Sequence, residues 1–464
     1  MSDAESLMWR LEKDPYLSST FAAVMILDRP ADIDRFRRRM ANAVLAVPRL
    51  RQRVVASPAN LSPPVWVEDP DFDLDYHVRH VALPAPGSMR QLLDFAELVA
   101  ADPFERTRPL WTFVVVDGLE GGRGALVEKL HHTIADGEGS IRLSLQFLDL
   151  ERDAPEPPPP DPEAIEIGDP SEGLGTSDAL KAMLAGGLRV PIGLVRQLRD
   201  LIAEPASLPG AGTAAFDSVR GLLSQLSETD AARSPLWTRR SLRHRIEVVR
   251  APFRETRDAA KRLGGSLNTA FLTAAADASG EYHRQLGAPV EELRASMAIS
   301  TRTSDSGSNA FTLAKFLVPT GAMPIGERFI RIQQAADEAR AASGGASLDA
   351  LSALTSSLPT SLLTRIARQQ GQTVDFATSN VRAASFPVYL AGAKVLENYA
   401  VGPLGGVAFN LTLMSYHGSL DMGLHLDAAA VAEPELLRDL LAASFRQLAA
   451  PARKRAPARR RAQS

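Results

Sequence analysis

The 464-residue chain contains no cysteine. That excludes disulfide staples, a thiolate nucleophile and cysteine-ligated zinc. No stretch reaches the roughly 18 uninterrupted apolar residues that a membrane-spanning helix needs. The first thirty residues, MSDAESLMWRLEKDPYLSSTFAAVMILDRP, lack the basic start and apolar run of a secretory signal, so a cytoplasmic location is expected. Charge of one sign is also scarce. Lys and Arg number 52 against 55 Asp and Glu, and the net charge of −3 argues against a general nucleic-acid binder. The serines include no GxSxG nucleophile elbow, and no HExxH zinc spacing occurs.

What is present is the composition of a globular protein, 45% apolar and 23% charged. The length exceeds what one hydrophobic core usually supports, so two lobes are expected. Residues 1–150 read as mixed α/β. Ile33, Phe36, Met40, Val44 and Leu45 form one stripe of a helix over Asp32–Leu45. A second helix is expected over Met89–Ala101. Leu110–Asp117 and Ala125–His131 are strand-like, with Gly121-Gly122 as the turn of a hairpin. Ile141, Leu145 and Leu148 mark one face of a helix beginning soon after Gly137. Residues 151–243 read as a linker. It opens with the stiff acidic run EPPPPDP at 156–162 and carries an amphipathic helix with Leu194, Val195, Leu198, Leu201 and Ile202 on one face. Alternating α/β character resumes over 244–450, including a hairpin of Phe409–Tyr416 and Leu420–Leu426 turned at His417-Gly418-Ser419. The last fourteen residues, 451–464, hold six basic side chains and no acid.

The most informative segment is His131-His132-Thr133-Ile134-Ala135-Asp136-Gly137, which closes a strand and opens a helix. Neighbours on a strand point to opposite faces. The two histidines therefore cannot both serve one site, which argues against a metal pair. One is free for chemistry, and the other packs or orients. Asp136 stands where it can cap the helix, and Gly137 permits a tight turn. Two packed histidines beside a capping acid would also be a coherent account of the pattern, but the chemistry offers a better one. The chemical account is that neutral imidazole is the natural general base at cellular pH. An alcohol attacking a thioester needs such a base and no enzyme nucleophile. The remaining histidines, His77, His80, His244, His283, His417 and His425, read as surface or packed residues.

This segment resembles the HHxxxDG signature of the acyl-CoA-dependent acyltransferases. Five further runs are similar to the bacterial wax ester synthase/diacylglycerol acyltransferase family: Pro109-Leu110-Trp111, Asp73–Val78, Ser379-Asn380-Val381, Val388–Leu404 and Leu420–Leu424. The resemblance spans nearly the whole chain. It implies an α/β protein of two chloramphenicol-acetyltransferase-like lobes, each a mixed β-sheet with helices, joined by a long helical linker. The substrates it implies are acyl-CoA and a diacylglycerol or long-chain alcohol, with no cofactor and no metal. Among site residues it implies His132 as base, assisted by His131, Asp136 and Gly137, with Arg302 as the ion-pair partner of Asp136. Trp111, Asn268, Ser379 and Asn380 become candidate substrate contacts. The sequence departs from the family at Thr269, where many members carry an acid after the Asn. Two alternatives stay open, namely a condensation-type enzyme fed by a carrier protein and a non-catalytic lipid-binding relative. A peripheral lipid-surface contact is expected through the Leu194–Ile202 helix and through Arg453, Lys454, Arg455, Arg459, Arg460 and Arg461.

Overall fold

The computed structural model describes residues 1–56, 63–135, 137–155, 231–300, 311–342 and 360–450. Most of the expected linker, the Leu194–Ile202 helix, Asp136, Arg302 and the basic tail lie outside the described residues.

The first lobe is built on a seven-stranded mixed sheet. Its strands are Thr20–Leu27 (β1), Val78–Ala82 (β4), Trp111–Leu119 (β5), Arg123–His131 (β6), Leu148–Asp149 (β7), Tyr389–Leu390 (β12) and Ala393–Val401 (β13), in the order β4-β5-β6-β1-β13-β12-β7. Gln52–Val55 (β2) and Val65–Glu68 (β3) form a separate two-stranded ribbon. The β5–β6 hairpin turns through Gly121 and Gly122, both at positive φ. β6 lies in the middle of the sheet, antiparallel to β5 and to β1. The helix Ile33–Ala46 is capped by Asp32, whose carboxylate accepts from the Arg35 N–H, and it buries Phe36, Met40, Ala43 and Val44. These side chains cover the face of the sheet that carries Met25, Phe113, Leu126 and Leu130. The helix Met89–Ala101, opened by a Ser88/Gln91 capping box, covers the opposite face, on which Val24, Val114 and Val127 lie.

The second lobe is a six-stranded mixed sheet of His244–Pro252 (β8), Glu292–Ser300 (β9), Phe311–Pro319 (β10), Phe376–Arg382 (β11), Phe409–Tyr416 (β14) and Ser419–Asp427 (β15). Its order is β10-β9-β11-β14-β15-β8. Leu411, Leu413, Met422 and Leu424 pack on the long helix Leu267–Gln285, which is buried along most of its length. β14 and β15 are joined by His417 and Gly418 at φ +38° and +88°. Two successive positive φ values match the right-handed twist of a tight hairpin. Ser419, expected in the turn, is already strand.

The lobes are not sequential blocks. β12 and β13, late in the chain, complete the first sheet, with β13 antiparallel to β1. β13 also lies against β14 and β15 of the second sheet, so it is the seam between the lobes. The Asn398 N–H donates to Asp421 at 2.9 Å, and the Gly402 N–H donates to Thr412 at 3.2 Å. A second clamp joins the outer faces. Arg90 of the helix Met89–Ala101 reaches Glu247 of β8 at 2.7 Å, and Arg245 and Arg438 approach the same buried carboxylate.

One expected helix face is corrected. The helix after the histidine motif spans Gly137–Ser144 and ends before Leu145, which is 54% exposed, while Leu148 belongs to β7. The buried apolar side chains are Leu143 and Phe147. The helix is too short for an i, i+4, i+7 stripe, and the chain must turn there to reach the sheet edge.

Candidate active site

β6 ends at His131 because its neighbours end there. The His131 N–H donates to the Leu110 carbonyl at 3.0 Å, and the next N–H, that of His132, donates to the Ser19 carbonyl at 3.0 Å. The chain then turns, with Ile134 N–H bonded back to the His131 carbonyl.

The two imidazoles go to different surroundings. His131 is 1% exposed. Its Nδ1 lies 3.2 Å from the Thr133 N–H and 2.8 Å from Thr133 Oγ1, and its Nε2 lies 3.1 Å from Glu12 Oε2. A ring nitrogen that accepts a backbone N–H carries no proton of its own, so Nε2 is the donor to Glu12. His132 is half-buried, with its ring 4.7 Å from that of Phe21.

Glu12, just past the helix Asp3–Leu11, is the functional residue that sequence reasoning missed. Its carboxylate also accepts the Ser18 hydroxyl at 2.6 Å and the Ser19 N–H at 2.7 Å. It thus fixes the His131 ring and the same Ser19 whose carbonyl holds the His132 backbone. Burial pushes the Glu12 carboxyl up, but the hydrogen bond and charge of His131, with the Ser18 and Ser19 bonds, outweigh burial and leave it below its ordinary value. A depressed carboxyl adds stability above its unfolded-state pKa and loses it as pH falls through the folded-state value. Glu12→Gln is therefore expected to cost about 2 kcal/mol at neutral pH. The gap from wild type should close on acidification, as read by denaturant melts across pH. A gap that stays constant into acid would rule out a contact made by the ionised Glu12 carboxylate.

The other candidates separate. Trp111 is fully buried, stacks on His77 at 4.6 Å and donates its indole N–H to the Leu50 carbonyl at 2.7 Å. It is a core residue with no surface left for a substrate, a correction to its expected role. His77, between Phe72 and Trp111, is likewise core, and burial lowers it to about 4. Asn268 stands in the first turn of Leu267–Gln285 and directs its amide to Met297 Sδ at 2.8 Å. Thr269, the departure from the family, is buried. Its N–H donates to Ser266, the residue capping this helix, and its hydroxyl bonds Gln333 of the helix Ile325–Ala342. At this position a helix-to-helix hydrogen bond replaces the acid. On β11, Ser379 pairs in register with Thr412, and Asn380 with Leu413. Ser379 therefore shares the seam-facing side with Thr412, and Asn380 shares the helix side with Leu413. The helix Gly137–Ser144 lies against β11, which brings the histidine motif and Ser379-Asn380-Val381 to one seam.

A second acid lies on the motif strand. Glu128 is 6% exposed, and burial pushes its carboxyl up to about 8. A raised carboxyl destabilises as pH climbs from its unfolded toward its folded pKa. Relative to Glu128→Gln, wild-type stability should fall by about 1.4 kcal/mol per pH unit from roughly pH 4.5 to 8 and then level off. Parallel stability–pH curves for the two proteins would contradict a buried neutral acid.

Two mixed-sheet lobes meeting beside an HHxxxDG turn define the class of two-lobed acyltransferase-type proteins. Residues 1–271 match the wax ester synthase/diacylglycerol acyltransferase catalytic domain, and residues 307–449 match the C-terminal domain of the same family. The chain belongs to the wax ester synthase/diacylglycerol acyltransferase family. It is 34% identical to a Mycobacterium tuberculosis (H37Rv) protein named as a putative diacylglycerol O-acyltransferase, over 98% of this chain and 93% of that one. It is 26% identical to the probable diacylglycerol O-acyltransferase tgs1 of the same strain, over 97% and 95%. Among solved structures it resembles the wax ester synthase/diacylglycerol acyltransferase of Marinobacter aquaeolei VT8, with TM-score 0.64 and 23% identity over 96% and 97% of the two chains. It also shares its fold with the first condensation domain of the calcium-dependent antibiotic synthetase, with TM-score 0.56 and 15% identity over 97% and 95%.

Proposed function

We propose that this enzyme transfers a fatty acyl group from acyl-CoA to the hydroxyl of a diacylglycerol or long-chain alcohol, with His132 as the general base. The observation that carries the reading is the division of labour at the turn. His131 is buried and engaged by Glu12 and Thr133, while His132 is half-buried at the strand end and held there through its backbone. The imidazole of His132 takes the acceptor's proton as the alcohol oxygen attacks the thioester carbonyl. The tetrahedral intermediate collapses with loss of the CoA thiolate, which takes the same proton back. No covalent enzyme intermediate and no cofactor is needed. Asp136 and Arg302 are proposed to pair and steady the turn. Purified protein with palmitoyl-CoA and either dioleoylglycerol or hexadecanol should release free CoA in step with product lipid. CoA release without a product ester would overturn the reading.

The acceptors are nearly insoluble in water, so the enzyme must meet them at a lipid surface. Among the described residues no helix is long and apolar enough to cross a membrane. The contact is proposed to be peripheral, through the Leu194–Ile202 stretch and the basic tail. Full-length protein should float with anionic vesicles at low salt and far less at high salt, because exposed charge is screened beyond about 8–10 Å. Removing residues 451–464 should weaken flotation and leave turnover of a soluble short-chain alcohol unchanged. Absence of flotation at low salt would remove the tail from the reading.

A further inference from the structure

A polar groove runs between the lobes beside the histidine turn. One wall is the segment Lys13 to Pro15, just past the first helix. The other is the helix Thr360–Gly371 of the second lobe, which lies against the helix Asp3–Leu11. The groove consists of two adjoining hollows of about 490 and 500 Å³ that share Asp14 and Thr364. Ser361, Thr364, Arg365 and Arg368 all line it, and their i, i+3, i+4, i+7 spacing makes them one face of that helix. A helix face turned toward a neighbouring lobe ordinarily carries apolar side chains. This one carries two hydroxyls and two guanidiniums.

The charge in the groove is unbalanced. Arg368 pairs with Asp14 at 3.6 Å and lies over the Tyr16 ring at 3.8 Å. Lys13 and Arg365 line the groove without an ion pair or side-chain hydrogen bond among the described residues. Glu12, the residue before Lys13, gives its carboxylate to His131, Ser18 and Ser19. Two uncommitted cations beside two hydroxyls are a donor set suited to phosphate.

The groove also stands at a defined remove from the reaction centre. Glu12 accepts the Ser19 N–H at 2.7 Å, and the Ser19 carbonyl accepts the His132 N–H at 3.0 Å. Two hydrogen bonds and one residue therefore link Glu12 to His132, which puts the groove wall on the order of 10–15 Å from the catalytic residue.

We propose that this groove holds the phosphate-bearing end of the acyl donor, with Lys13 and Arg365 on the phosphates of CoA. The proposal rests on the acyl-transfer reading above. The reach decides which substrate supplies the phosphate. An extended chain advances about 1.2 Å per bond, so the roughly thirteen bonds from the thioester sulfur to the first phosphorus of CoA span about 16 Å. A phosphate carried by a glycerolipid acceptor would sit only about four bonds, or roughly 5 Å, from the attacking hydroxyl, too near to lie in the groove.

The test compares palmitoyl-CoA with palmitoyl-pantetheine, which lacks the phosphates, as donors to hexadecanol, using the full chain. Wild type should favour palmitoyl-CoA in kcat/KM by about 100-fold, a decade for each charged contact. The ratio should fall about 10-fold in Lys13→Glu and in Arg365→Glu and survive in Lys13→Arg and Arg365→Lys, which keep the charge. A wild-type ratio in both reversed variants would overturn the proposal. Lys13 and Arg365 are exposed, so the variants should fold. Should they not, the salt dependence of the wild-type ratio decides, because a contact between exposed charges weakens with ionic strength and a salt-independent ratio would overturn the proposal. A defect confined to a phosphorylated acceptor, 1-oleoylglycerol 3-phosphate, would overturn the assignment to CoA. Calorimetric titration with adenosine 3′,5′-bisphosphate separates this proposal from the reaction it rests on. Binding that weakens in Lys13→Glu and Arg365→Glu, in a protein that makes no ester, would leave the groove standing and sink acyl transfer. Normal ester formation with binding unchanged in both reversed variants would sink the groove alone.

Discussion

His132→Ala should lower turnover by about 10²- to 10⁴-fold, the usual contribution of a positioned general base, and leave the fold intact. The small structural cost follows from the contacts. The backbone of His132 holds its place through the Ser19 carbonyl, which the substitution does not touch, and the ring is half-buried against Phe21. Loss of one ring–ring contact costs about 1 kcal/mol. His131→Ala should behave in the opposite sense. It empties a buried site and removes the hydrogen-bond donor to the Glu12 carboxylate, and leaving such a group unsatisfied costs about 1–3 kcal/mol on top of the cavity. The adjacent histidines are thus expected to separate in two measurements. His132→Ala should melt near wild type and turn over poorly. His131→Ala should melt early, and its residual folded fraction should retain more activity per molecule. Wild-type turnover in folded His132→Ala would remove the general base from the mechanism.

Much of the local structure was legible because it rests on local physics. The Gly121-Gly122 turn and the His417-Gly418 turn each depend on residues within a few positions of one another, and the structure places both as the sequence indicated. What was not legible depends on long-range pairing. Glu12 is 119 positions from His131, and no periodicity links an acid past the first helix to a histidine at the end of a central strand. The crossing of β13 into the first sheet is of the same kind, since its alternating pattern fits either lobe. Trp111 misled for another reason. A large aromatic beside a reactive motif can be a substrate platform or the plug of the core. Burial decides between them, and a sequence does not contain burial.

The Leu420–Leu424 run, noted in the sequence as a pattern, has a physical reading at the seam, and it carries the second large expected effect. Leu420, Met422 and Leu424 point into the core of the second lobe. Asp421 and Gly423 alternate to the other side, against β13. The Asp421 carboxylate accepts the Asn398 N–H, the Ser419 hydroxyl at 2.6 Å and the Arg250 guanidinium at 3.0 Å. Gly423 has no room for a side chain, because a Cβ there would lie 2.1 Å from the Ala400 carbonyl oxygen and 2.9 Å from its carbon. Both obstacles are backbone of a strand paired to β1 on its other side, so the neighbour cannot rotate away. Gly423→Ala must push β13 off the second sheet, straining the Asn398–Asp421 and Gly402–Thr412 bonds together. The expected cost is about 3 kcal/mol, the upper end of overpacking. Turnover should fall with it, because the displaced strand joins the two lobes that flank His132. Gly287→Ala supplies the contrast. Gly287 has φ +74° and nothing within 4 Å of the added carbon, so only backbone strain of about 1 kcal/mol is expected there, with kcat unchanged. Equal losses of stability and turnover in the two variants would mean that the seam tolerates displacement and that the lobes act independently of β13.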